Sequence, residues 1–89
     1  MLDLKDLRCF IAVYESGGFA RAAGELSTVQ SAVSARIRKL ESVVGGSLFQ
    51  RMHRGIVATA KGEKLYRHAK RVLEQIQEFE KAVSDERAA

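Results

Sequence analysis

From Thr59 to Asp85 the chain has no proline and a single glycine, Gly62, and its apolar residues Leu65, Ala69, Val72, Ile76, Phe79 and Val83 stand 4, 3, 4, 3 and 4 apart. That is a heptad spacing, which lays one narrow apolar seam along a helix. A helix of about 26 residues extends roughly 39 Å. The 59 residues before it are too few to cover such a length, so part of the seam, with Leu73 beside it, is expected to meet a second copy of the chain. The other possibility is a seam packed wholly on the chain's own core.

The upstream patterns are shorter. Leu4, Leu7, Ile11 and Tyr14, flanked by Phe10 and Val13, predict a first helix over about residues 4 to 16, stopped by Gly17-Gly18. Phe19, Ala22, Ala23 and Leu26 predict a short second helix whose alanines let another helix approach closely. Gly24 within it costs about 1 kcal/mol relative to alanine, which calls for a packing reason or a fraying end. A third helix runs through Val33, Ile37, Leu40 and Val44 to Gly45-Gly46. Ser27 or Thr28 is expected to cap it, Ser27 and Gln30 fitting an S-x-x-Q capping box. Within SAVSARIRKLE the apolar face leaves Ser31, Ser34, Arg36 and Arg38 on a polar, basic face. Two short helices joined by a few residues, the second presenting polar side chains, form a helix-turn-helix pattern.

In SLFQRMHRGIVATAKG, Leu48-Phe49 and Ile56-Val57 flank a tip carrying Arg54 and Gly55, which reads as a β-hairpin with a basic end. Beside a helix-turn-helix such a hairpin is a wing, placed to enter a minor groove or lie along phosphates. A charged surface loop would carry the same residues. Thr59 then offers an N-cap to the long helix.

Charge supports the same direction. Between Arg36 and Arg71 ten basic residues face two acidic ones, whereas the remainder holds five against nine. A basic middle between acidic ends is a footprint for a polyanion, most often nucleic acid. Its bland counterpart is a solvated charged surface. Eighty-nine residues bound the chain to one small domain. No apolar run reaches the roughly 18 residues of a membrane span, and MLDLKDLRCF does not read as a signal peptide, so a cytoplasmic location is expected. Cys9 lies in an apolar segment and reads as a core residue. His53 and His68 stand fifteen apart without partners at metal spacing, and no glycine-rich phosphate loop follows a strand, so neither a metal nor an enzyme reading finds support.

These residues resemble the N-terminal DNA-binding domain of LysR-type transcriptional regulators, over Leu4 to about Val83. The likeness is carried by DLRCFIAVYESGGFARAAGEL, by VQSAVSARIRKLE, and by Gly45, Leu48 to Arg51, Arg54-Gly55, Thr59 and Gly62 in order. The resemblance implies a mainly α fold: a winged helix-turn-helix of three short helices and a two-stranded β wing over residues 1–59, then a linker and dimerisation helix over 60–89. It further implies a third helix in the major groove of double-stranded promoter DNA, a wing in the adjacent minor groove, and a homodimer on an inverted repeat.

Carried residue by residue, Gln30, Ser31 and Ser34 match positions that contact bases or nearby phosphates, and Arg54 matches the wing arginine. Arg21, Arg36, Arg38 and Arg51 are then expected on phosphates, and His53 at the tip touches a phosphate or simply solvent. Gln30 has the alternative role of completing the cap, and Arg51 that of anchoring the wing. The chain departs from the family pattern at Val29 and Ser31, where a hydroxyl residue and proline are common, which moves the expected cap to Ser27 or Thr28. Ala35 stands where arginine is frequent, and its methyl suits a thymine methyl. Gly18 and Ala20 replace hydroxyl residues at the start of the second helix.

The resemblance places an inducer-binding domain outside this chain, so no cofactor is expected within it, and a higher oligomer is expected of the full-length protein. Two rivals remain: an architectural DNA binder held by charge alone, and a protein-interaction module whose heptad helix is the functional surface.

Overall fold

The computed structural model describes residues 1–88. The elements are α1 (Leu4–Ser16), α2 (Phe19–Glu25), α3 (Gln30–Val44), β1 (Phe49–Met52), β2 (Gly55–Ala58) and α4 (Ala60–Ala88). Three short helices, an antiparallel hairpin and a long last helix follow in the expected order.

Helix α1 starts where two aspartates cap each other: the Asp6 backbone N–H donates to the Asp3 carboxylate and the Asp3 N–H to that of Asp6, both at 3.0 Å. It ends at Gly17, whose φ of +79° lets its N–H return to the Val13 carbonyl. The α2–α3 turn corrects the expected cap. Ser27 adopts φ +55° and its N–H donates to the Gly24 carbonyl, so it closes α2 rather than opening α3. Val29 is the residue before α3 and supplies no side-chain cap. Gln30 is the first helical residue, whereas a capping box needs it at the third. Gly24 lies in the last turn of α2 with open space around it, so its reason is the fraying end and not packing.

The core forms where α1, α2 and α3 converge. Phe10, Val13, Ala22 and Leu40 are fully buried, with Cys9 and Val33 at 1% exposure. Full burial of side chains of this size contributes roughly 1.5–3 kcal/mol each relative to exposure. Phe49, at the start of the wing, lies 5.4 Å from the Phe10 ring and edge-on to Phe19 at 6.1 Å, tying hairpin to helices. In the hairpin Phe49 pairs with Ala58 and Met52 with Gly55, which leaves His53-Arg54 as a two-residue tip.

Helix α4 begins under a side-chain cap from Thr59, whose hydroxyl accepts the Gly62 N–H at 3.0 Å and donates to the Ser47 carbonyl at 2.7 Å. Gly62 is required for space: a Cβ there would lie 2.1 Å from the Leu48 carbonyl oxygen. The heptad seam divides. Ala69 is buried in the chain's own core, and Leu65 and Leu73 pack against it. Ala69 is thus covered by the head, while Leu65 and Leu73 pack on it and stay partly exposed. Val72, Phe79 and Val83 are exposed and Ile76 is half-buried. At about 100° per residue the second set lies roughly 50° around the helix from the first. The terminal residue of the expected linker segment, 89, lies outside the described residues.

Candidate nucleic-acid interface

Helical geometry separates the two faces of α3. Val33, Ile37 and Leu40 are buried, and Ser31, Ser34, Ala35 and Arg38 lie on the opposite side at 3.6 residues per turn. Gln30, Ser31, Ala35 and Arg38 are exposed and Ser34 is half-buried. The wing extends this surface. Ser34, Arg38 and Ile37 of α3 line a shallow cleft of about 300 Å³ together with Arg51 and Ile56 of the hairpin. The Arg51 guanidinium sits 5.6 Å from the centroid of Phe19, a cation held against an aromatic face on α2. Arg51 is thus an anchor of the wing and an exposed cation at once. His53 and Arg54 are exposed at the hairpin tip, and Arg21 is exposed on α2.

Arg36 is directed elsewhere. Its Nη1 donates to Asp6 Oδ1 at 2.9 Å and lies 3.7 Å from Asp3 Oδ1, while Lys39 Nζ is 2.9 Å from Asp6 Oδ2. The Asp6 carboxylate is fully buried and receives two cations and a backbone N–H. Burial alone would raise its pKa, but the hydrogen bonds from Lys39, the Asp3 N–H and Arg36 prevail and hold it below the ordinary aspartate value. Arg36 therefore docks α3 on α1 and keeps a half-exposed side chain beside the recognition face. Sequence reasoning missed Asp6 and Lys39. The Asp3-x-x-Asp6 spacing is a local signal for the cap of α1, but no local signal marks a pairing across thirty residues.

Cys9 is buried, its Sγ donating to the Val33 carbonyl at 3.8 Å, and burial pushes its thiol pKa up. That is a core residue rather than a reactive one. No helix among the described residues is long and apolar enough to cross a membrane.

Residues 4–63 match the family described as bacterial regulatory helix-turn-helix protein, lysR family. The transcriptional regulator CfxR of Cupriavidus necator is 39% identical over 82 residues, which cover 92% of this chain and 26% of that protein. DgdR of Burkholderia cepacia is 42% identical over 74 residues, covering 83% and 25%. The chain thus spans about a quarter of the length of the curated relatives it matches. Among solved structures, the BenM DBD in complex with catB site 1 DNA superposes with a TM-score of 0.93 at 28% identity, covering 99% of both chains. The CbnR DBD in its DNA complex gives 0.87 at 33% identity, covering 94% of this chain and 97% of that one. With its helix order, its hairpin and its sequence all in register with those regulators, the chain belongs to the LysR family of bacterial regulatory helix-turn-helix proteins and not to a family of enzymes.

Proposed function

We propose that this chain binds double-stranded promoter DNA sequence-specifically, as one half of a symmetric dimer on an inverted repeat. The observation that carries the reading is the single exposed surface made by the polar face of α3 and the cationic wing. Gln30, Ser31, Ser34 and Ala35 read base edges in the major groove. Arg21, Arg38 and Arg51 hold phosphates, and His53 and Arg54 carry the wing to the minor groove. The missing side-chain cap of α3 supports this: its first backbone N–H groups are left to a phosphate oxygen at the positive end of the helix dipole. The stripe of exposed Val72, Phe79 and Val83 with half-buried Ile76 joins two copies. The inducer is bound, and the transcriptional output set, by parts of the protein outside this chain.

Selection of duplexes from a randomised pool at near-physiological salt tests the reading. An inverted repeat is expected, and Gln30→Ala and Ser34→Ala should each lose about 1–3 kcal/mol at the selected site while sparing random DNA. Equal losses on both DNAs would remove the base-reading role. No motif, with affinity that only collapses as salt rises, would favour an architectural binder.

A further inference from the structure

We infer that the stacked pair Tyr14–Tyr66, cross-bonded to Glu63 and Glu15, is a latch that fixes the direction of α4 against the head and so selects the separation of the two half-sites. The inference rests on the dimeric DNA reading above and adds to it a positioning element on neither the DNA surface nor the dimer stripe.

Helix α4 packs on the head's core through Leu65, Ala69 and Leu73, apolar contacts that tolerate sliding. Its opening turn is held where Gly62 lies against the Leu48 carbonyl and Thr59 is bonded to the Ser47 carbonyl. One turn on, the Tyr66 ring lies face to face with that of Tyr14 on α1, centroids 3.7 Å apart and planes within 8°. The Tyr14 hydroxyl donates to the Glu63 carboxylate at 3.0 Å, and the Tyr66 hydroxyl donates to Glu15. Each helix thus contributes one ring and one carboxylate, and the bonds cross. Lys70 Nζ, 3.6 Å from Glu15, adds a third link one turn further. The hydrogen bond to Glu15 pushes the Tyr66 phenol up to about 12, so it remains a donor throughout the physiological range.

Aliphatic side chains would bury the same area, but their contacts tolerate sliding. Stacked rings with directional hydrogen bonds restrict both slide and rotation. The need for such a grip follows from leverage. Leu73 is the last residue of α4 packed on the head, and the stripe expected to join two copies lies beyond or beside it. From Leu73 to Val83 the helix covers about 15 Å, so a tilt of about 13° moves the far end by about 3.4 Å. That is about one base-pair step of the duplex. Separation of the half-sites is therefore only as exact as the direction of α4.

The test reads the helix direction and the DNA preference separately. In a Cys9→Ala background, Glu25→Cys and Glu80→Cys take spin labels on the head and on distal α4, both at exposed positions. The labelled chain is diluted in unlabelled chain, and the label-to-label distance is measured. The expected result is a narrow distribution that broadens at least about twofold with Tyr14→Leu/Tyr66→Leu, and less with Tyr66→Phe, which keeps the stack and loses one bond. On duplexes whose half-sites are moved apart one base pair at a time, a preference of about tenfold for one separation should fall below about threefold in the double variant. Affinity for a single half-site should stay within about twofold. Circular dichroism confirms that each variant is folded.

A distribution that stays narrow in the folded double variant, or in Tyr66→Phe alone if the double variant fails to fold, would overturn the latch. A broadened distribution with the spacing preference intact would overturn its link to spacing. A chain of unaltered sequence that shows a narrow distribution yet binds all separations alike would instead overturn the two-headed reading and, with it, the role in spacing.

Discussion

Phe10 and Phe79 are the same residue on helices of similar amphipathicity, yet Phe10 is fully buried and Phe79 is 68% exposed. Around Phe10, three helices and the root of the wing converge within one small core. Around Phe79, among the described residues, there is one helix and no other element. Apolar periodicity therefore has two meanings in this molecule. In the head it records folding of the single chain, and in distal α4 it leaves an apolar stripe on the surface, the one proposed above to join two copies. The border runs along the seam itself, between Ala69 and Leu73 on the head's side and Val72, Ile76, Phe79 and Val83 on the other.

The largest effect expected from this difference lies in the head. Phe10→Ala should cost about 3–5 kcal/mol, enough to unfold much of a small domain, while Phe79→Ala should shift the single chain's stability by less than about 0.5 kcal/mol. Urea unfolding of the two variants at low protein concentration checks this, and similar losses in both would erase the border. Next comes the converse substitution. Ile76→Asp with Phe79→Asp should weaken self-association by about 3 kcal/mol, roughly a hundredfold, with the head's unfolding midpoint unchanged. Sedimentation across a concentration series reads it, and an unmoved profile would refute the stripe.

A smaller effect probes a polar group inside the head. Asp6→Asn should cost about 2 kcal/mol near neutral pH, since its partners Arg36 and Lys39 are half-exposed and regain water when released. Asp6 has a folded pKa below its unfolded one, so its contribution is present above the unfolded value of about 3.9 and is lost as pH falls through the lower folded value. The gap between the native chain and Asp6→Asn should therefore be widest above about pH 5 and close in stronger acid. Unfolding midpoints across that range decide it. The smallest effect lies at the head's rim: Gly24→Ala, in an open site, should stabilise by about 0.5–1 kcal/mol, measured as a raised melting temperature.

Much of this was legible in one dimension. Spacing placed α1 at residues 4 to 16, ended it at Gly17 and put Val33, Ile37 and Leu40 inside, and the structure agrees at each. Thr59 was legible as a cap because capping is a contact with the next turn of the same chain. Ser27 was misread for a related reason. Its suitability as a cap was local, but its left-handed backbone was decided by how α2 must end before α3 can cross it. The polar face of α3 was legible by subtraction from its apolar one. The roles of its two arginines were not, because Arg38 and Arg36 differ only in what each meets: the wing cleft or Asp6.

Element order, the helix-turn-helix, the wing and the existence of a seam are written in local patterns, each spanning about one turn or one hairpin. The tertiary structure decided which part of the seam the chain covers, which arginine is committed to Asp6, and how Tyr14 meets Tyr66 to orient α4. Those outcomes depend on contacts between residues thirty or more apart, and the energies involved belong to pairs that no local pattern brings together.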